Sequence, residues 1–175
     1  MGQLMGQLGP MGFQNSETLK PSNITIMAWA KAHSFGSWNG IITNKRFSYD
    51  GINLQMGVAQ NIAALVGNGI SGTYTYIRTD WMPSISTWYH IVITHNSLDN
   101  LNILYVNAKE EKRGTRGLGY DPISQNTIIG RFYSGSTGLR WDGLIDDVRI
   151  YNTALTAEEI QRIYVETKHK YLAEE

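Results

Sequence analysis

The chain contains no cysteine. Disulfides, thiolate catalysis and cysteine-based metal centres are therefore excluded together. A small secreted module stapled by disulfides is a poor match for the same reason. Net charge is also absent, because 15 Lys and Arg balance 15 Asp and Glu. No basic field is present to draw nucleic acid or an anionic membrane surface. No apolar run approaches the roughly 18 residues of a membrane span. The opening segment, MGQLMGQLGPMGF, has neither a cationic start nor a continuous apolar stretch, so no secretory signal is legible in it. The expectation is a protein acting outside cells or on a virion surface, its signal either removed or never needed.

What is present is enough apolar material for one domain: 175 residues, 42% of them hydrophobic. Short runs with a two-residue period predict strands at Ile24–Ala32, Gly40–Lys45, Ile52–Val58, Ile62–Val66, Thr73–Arg78, Thr87–His95, Leu101–Ala108, Asn126–Phe132 and Leu144–Tyr151. Turns are expected at Tyr49-Asp50-Gly51 and Gly67-Asn68-Gly69, and a hairpin closes through Ser97 to Asn100. The mixed-sign run Lys109 to Arg116 (KEEKRGTR) reads as a solvated hairpin loop. Helix signals occur only near the end. Thr156 with Glu159 forms a capping box, and Ile160, Ile163 and Tyr164 give one apolar stripe, extended by Thr167 and Tyr171. Strand after strand without intervening helices predicts an all-β antiparallel jelly-roll sandwich with a short C-terminal helix. The expected organisation is an arm over residues 1–12, the sandwich over 13–165, and a helical extension over 166–175. The arm repeats MGQL, and its Met and Leu side chains favour packing on the domain or on a neighbouring chain.

The segment Gly143 to Tyr164, GLIDDVRIYNTALTAEEIQRIY, resembles the last strand and helix of laminin-G-like domains in the concanavalin A-like jelly-roll superfamily. Trp141, Gly143, Ile145, Asp146, Asp147, Val148, Arg149, Ile150, Tyr151 and Asn152 match that family's pattern in place, as do Ala154, Leu155, Glu158, Glu159 and Ile160. ITIMAWAK from Ile24, TWYHIVIT from Thr87 and LNILYVNAK from Leu101 are similar to its other strand motifs, in the expected order. The resemblance covers roughly residues 13 to 165. It implies a structural Ca2+ near Asp146, held together with acids of the opening strand. Here that strand region reads GQLGPMGF and carries no acid, whereas a hard cation wants several carboxylate oxygens. The two-residue period places Asp146 on the core-facing side with Leu144, Val148 and Ile150, where the alternative to a metal is a bond from backbone N–H groups or an Arg partner. No other cofactor is implied.

Catalysis finds no constellation. The E-x-D-x-x-E triplet of sandwich glycoside hydrolases is missing, and Glu110-Glu111, Asp146-Asp147 and Glu158-Glu159 are adjacent pairs whose side chains diverge. The four His form no metal-ligand pair at helical spacing. His90 shares a face with Trp88, Val92 and Thr94 and reads as a packed structural residue. Binding is better supported. Among 5 Trp and 10 Tyr, Trp29, Trp88 and Trp141 fall inside strand motifs and belong to the core. Trp38, Trp81, Tyr49, Tyr74 and Tyr76 are left as candidate ligand-binding aromatics, suited to a sugar face or to a protein interface. Two functions stay open. One is a non-catalytic assembly or adhesion module of a virion or cell surface, meeting itself or neighbouring chains through residues 1–12. The other is a carbohydrate-binding lectin module.

Overall fold

The computed structural model describes residues 12–13, 23–35, 39–44, 50–58, 61–68, 74–115, 127–132 and 140–172. Its strands are β1 (Gly12–Phe13), β2 (Ile24–Ala32), β3 (Asn39–Asn44), β4 (Asp50–Val58), β5 (Asn61–Asn68), β6 (Tyr74–Arg78), β7 (Trp88–Asn96), β8 (Leu101–Val106), β9 (Lys109–Gly114), β10 (Thr127–Ile129) and β11 (Gly143–Tyr151), followed by helix α1 (Ala157–Thr167). They form two antiparallel sheets. The six-stranded sheet runs β1-β10-β3-β4-β5-β6 and the five-stranded sheet runs β11-β2-β7-β8-β9. This is the expected sandwich.

The alternation in β2 shows how the layers are made. Ile24, Ile26, Ala28, Ala30 and Ala32 enter the core between the sheets, with Ile52, Leu54 and Met56 of β4, Ile62, Ala64 and Val66 of β5, Ile91 and Ile93 of β7, and Leu104 of β8. Each such aliphatic taken from water contributes about 1.5–3 kcal/mol for the larger side chains. The opposite face of β2 would normally meet water. Here Met27 packs with Val92, Tyr105 and Ile160 beneath α1, forming a second core. The strand is therefore buried on both sides, as its near-continuous apolar sequence requires.

Helix α1 is set by local chemistry. Thr156 Oγ1 accepts from the Glu159 N–H at 3.3 Å, and Glu159 Oε2 accepts from the Thr156 N–H at 2.8 Å. The expected capping box is present. Thr25 ties the approach down, donating to the Thr153 carbonyl at 2.7 Å and accepting from the Leu155 N–H at 2.9 Å. At the far end the Trp29 indole donates to Thr167 Oγ1 at 3.0 Å. Tyr171 stacks on Trp29 with centroids 4.4 Å apart, and Tyr164 stacks at 5.7 Å. The stripe of Ile160, Ile163, Tyr164, Thr167 and Tyr171 thus docks on the chain's own five-stranded sheet.

Three expectations need correction. The run from Lys109 is not a loop: Lys109–Gly114 is strand β9, the margin of the five-stranded sheet. Its charges suit an edge strand, since they discourage pairing with another chain. The hairpin before it closes on Asn107 and Ala108, both at positive φ, so β8 stops at Val106. Asp50, Gly51, Gly67 and Asn68 belong to paired strands rather than turns. The third correction concerns β11. Asp146 pairs with Trp29 and Arg149 with Met27, which places one extra residue in β11. Asp147 absorbs this bulge at φ 47°. Ile145 faces the core before the bulge, and Val148 and Ile150 face it afterwards. Asp146 therefore lies on the outer face and is exposed, not beside Val148 and Ile150.

Candidate functional site

Strand β6 carries Tyr74, Thr75, Tyr76, Ile77 and Arg78 with strict alternation of burial. Thr75 and Ile77 point inward. Tyr74, Tyr76 and Arg78 share the outer face, a row about 13 Å long at 3.3 Å per residue. Across the pair with β5, Tyr74 meets Gly67, Tyr76 meets Leu65 and Arg78 meets Ala63. Two of these three partners are small, and all three are buried. Further into the sheet a polar row begins. Thr43 Oγ1 donates to Asn53 Oδ1 at 3.0 Å, Asn53 Nδ2 to Gln55 Oε1 at 2.7 Å, and Gln55 Nε2 to the Tyr76 hydroxyl at 3.4 Å. Thr43, Asn53 and Gln55 are buried, while Tyr76 is 36% exposed. The network thus fixes amides inside and delivers one phenol to the surface.

The margins of the two sheets meet beside this row. A Cβ on Gly114 of β9 would lie 3.0 Å from Thr75 and 3.2 Å from Ile77, so β9 runs close to β6. Between them is a cleft of about 590 Å³ bordered by Tyr74, Tyr76, Arg78, Asp80, Lys112 and Arg113. Most of its charges are already matched. Lys112 Nζ sits 2.7 Å from Asp80 Oδ2, and Arg113 grips the Glu110 carboxylate with two bonds. Those partners hold Asp80 and Glu110 below the usual carboxylate range: the Lys112 bond is the main cause for Asp80, and the Arg113 bond for Glu110. Arg78 has no hydrogen bond or ion pair among the described residues. Burial pushes the Tyr76 phenol up, with Gln55 and Arg78 opposing. It stays protonated at neutral pH and, accepting from Gln55, keeps its own proton to donate.

This arrangement suits binding more than hydrolysis. Glycoside cleavage needs a carboxyl raised to act as acid beside a second carboxylate. Here both nearby acids are shifted downward. An exposed Ser34-His33-Asp142 cluster at one end of the sandwich is also unlike a nucleophilic triad. Ser34 donates directly to Asp142 at 2.6 Å, and His33 stands 3.8 Å from the same carboxylate. A nucleophile would instead donate to the imidazole.

The sequence-selected residues separate on the structure. Tyr74 and Tyr76 come together in the cleft. Trp81 is half-buried against the core; its indole donates to Glu111 Oε2 at 2.7 Å, and its ring tilts on Tyr89 at 5.8 Å. Trp38 and Tyr49 lie outside the described residues. Asp146 accepts from the Asp147 N–H at 2.7 Å and the Tyr171 hydroxyl at 3.0 Å. The Arg partner goes to Asp147, which holds Arg149 through both oxygens at 2.8 Å. No group of three or more His, Asp or Glu placed to hold a metal occurs among the described residues. Sequence reasoning missed Arg78, Gln55 and Asn53. Their signal was the alternation itself: Tyr-x-Tyr-x-Arg in β6, and Asn53 and Gln55 between Ile52, Leu54 and Met56.

Two sheets, this strand order and the terminal strand-to-helix segment define a jelly-roll domain of the concanavalin A-like class. Residues 11–161 match the Laminin_G_3 model of the concanavalin A-like lectin/glucanases superfamily, and the chain belongs to that family. Among similar solved structures is a Bacteroides ovatus protein provisionally assigned to carbohydrate binding, with TM-score 0.70 and 20% identity over 87% of this chain and 43% of that one. Domain 4 of AbnA, an extracellular arabinanase of Geobacillus stearothermophilus in complex with arabinotriose, gives TM-score 0.67 and 18% identity, covering 87% of this chain and 72% of that one. A heptameric SAP-like pentraxin of Limulus polyphemus gives 0.64 and 17%, covering 83% and 71%. The chain thus spans under half the length of the Bacteroides protein. At these identities the likeness is one of fold.

Proposed function

We propose that the chain is a non-catalytic carbohydrate-binding module acting outside cells, with Tyr74 and Tyr76 as its sugar platform. One observation carries this reading: two tyrosines side by side on the outer face of β6, one fixed by Gln55, bordering a cleft. Aromatic faces stack on the C–H face of a sugar ring, and a few fixed polar groups set orientation. The sugar-binding descriptions of the Bacteroides protein and the arabinanase domain support the class of ligand. Trp81, bonded to Glu111 and packed inward, is not part of the platform.

The test is a glycan array followed by calorimetry on Tyr74→Ala and Tyr76→Ala. Each is expected to weaken binding about tenfold, since truncating an aromatic anchor removes more than ~1 kcal/mol. Unchanged affinity in both variants, with the fold retained, sinks the platform.

A second reading is assembly on a virion or cell surface. It draws on β1, which among the described residues is Gly12–Phe13, at the margin of the six-stranded sheet and paired with β10. The rest of the arm lies outside the described residues. Light scattering on the full chain and on a version lacking residues 1 to 11 separates the two: an oligomer that becomes a monomer on truncation favours assembly.

A further inference from the structure

Charge pairing in the cleft leaves one cation over. Asp80 is matched to Lys112 and Glu110 to Arg113. Lys109 and Trp81 both reach Glu111. Arg78 continues the tyrosine row, is exposed, and has no ion-pair or hydrogen-bond partner among the described residues. A planar guanidinium presents paired N–H donors that fit a carboxylate or sulfate in a two-point bond. Beside it the Tyr76 hydroxyl accepts from Gln55 and retains its proton for a ligand oxygen. The row therefore places two tyrosine rings, one phenolic donor and then one guanidinium in order along β6.

We infer that the cleft selects acidic saccharides, with a ring carboxylate or sulfate ester held by Arg78 while neighbouring sugar faces lie on Tyr74 and Tyr76. This rests on the tyrosine platform proposed above and adds the chemistry of the ligand. A neutral glycan would leave the guanidinium without its partner and gain only the stacking. The charge-assisted contact is exposed to solvent, so selectivity weakens as salt rises.

The experiment is isothermal titration calorimetry of the full chain with three probes: oligogalacturonate, the same oligomers methyl-esterified, and a heparin-derived oligosaccharide. The acidic ligand is expected to bind about tenfold or more tightly than its neutral ester, as a charge-assisted bond implies. Arg78→Gln should abolish that preference and leave ester binding unchanged. Arg78→Lys should restore part of it, since the charge returns without the two-point geometry. Tyr76→Ala should weaken acid and ester alike. Preference for galacturonate assigns the anion as a carboxylate, and preference for the heparin fragment, which carries sulfates besides its carboxylates, points to a sulfate; either supports the inference. Equal binding of acid and ester by the native chain overturns it, as does a preference that survives Arg78→Gln. In both of those cases a Tyr76→Ala loss would leave the platform standing. Binding of none of the probes overturns the acidic selectivity, and a glycan array with no hit removes the platform as well. Melting curves of each variant confirm that the fold is retained.

Discussion

His90 makes the stability of this fold depend on pH in a defined direction. Its side chain is 1% exposed, tilted against Trp29 at 5.2 Å and Tyr164 at 5.9 Å. Its Nδ1 has no hydrogen-bond partner among the described residues. Burial drives the imidazole from 6.5 down to about 4, with Asp147 opposing and Arg149 reinforcing. The folded protein thus keeps His90 neutral where the unfolded chain would protonate it. Above pH 6.5 neither state binds the proton and the full stability is present. Below 6.5 the unfolded state gains a proton that the folded state refuses until about pH 4. The stability lost by linkage is about 2 kcal/mol at pH 5 and about 3 kcal/mol at pH 4. The assay is urea unfolding at pH 7.5, 6, 5 and 4, read by tryptophan fluorescence, for the native chain and for His90→Phe. Phenylalanine keeps an aromatic ring and removes the titration. Any packing offset it introduces is independent of pH. His95, also shifted down by burial, and the surface carboxylates remain in both proteins and cancel in the difference. The native curve should fall more steeply than the variant's by about 2 kcal/mol between pH 7.5 and 5. Parallel curves would refute the reasoning, because they would show that the folded site accepts the proton at no cost.

Three further outcomes follow from local geometry. Thr156→Ala removes the cap that holds the Glu159 N–H; it should cost about 1 kcal/mol and lower the melting temperature by roughly 2–4 °C in scanning calorimetry. Gly143→Ala would set a Cβ 2.1 Å from the Lys31 carbonyl oxygen, where β11 starts beside β2; overpacking against backbone should destabilise by about 3 kcal/mol in urea melts. Calcium and EDTA should both leave the melting temperature unchanged, because the Asp146 oxygens already serve the Asp147 N–H and the Tyr171 hydroxyl; a rise with calcium, as mass action would give for a bound ion, defeats that account.

Most of the sandwich was legible because its strands alternate cleanly. β2 runs from Ile24 to Ala32 as the pattern requires, and the capping box sits where Thr156 and Glu159 place it. What escaped notice did so for physical reasons. An edge strand needs no apolar face, so β9 offered only mixed charge. A bulge leaves the alternation on each side intact, so sequence alone continued the phase through Asp147 and put Asp146 on the wrong face. The site was half visible. Tyr74 and Tyr76 stood out as aromatics, but Arg78 looked like one more surface charge. Its distinction is that it makes no hydrogen bond or ion pair among the described residues, which depends on Lys112 arriving at Asp80 from β9, over 30 residues along the chain.

The two outer faces of the sandwich are not equivalent, and that asymmetry bears on where the proposed platform lies. On the five-stranded sheet, Met27, Val92 and Tyr105 are sealed by Ile160, and Trp29 is covered by Tyr164 and Tyr171. Aromatic surface there holds the helix, and two of its donors are matched: the Trp29 N–H to Thr167, the Tyr171 O–H to Asp146. On the six-stranded sheet the polar row Thr43–Asn53–Gln55 is hydrogen-bonded along its length, but it ends on a tyrosine that is 36% exposed, beside an arginine with no ion pair or hydrogen bond among the described residues. The margin thus joins two neighbouring tyrosines to a guanidinium that makes no hydrogen bond or ion pair among the described residues. Their joint placement on β6 is the observation on which the proposed sugar platform rests.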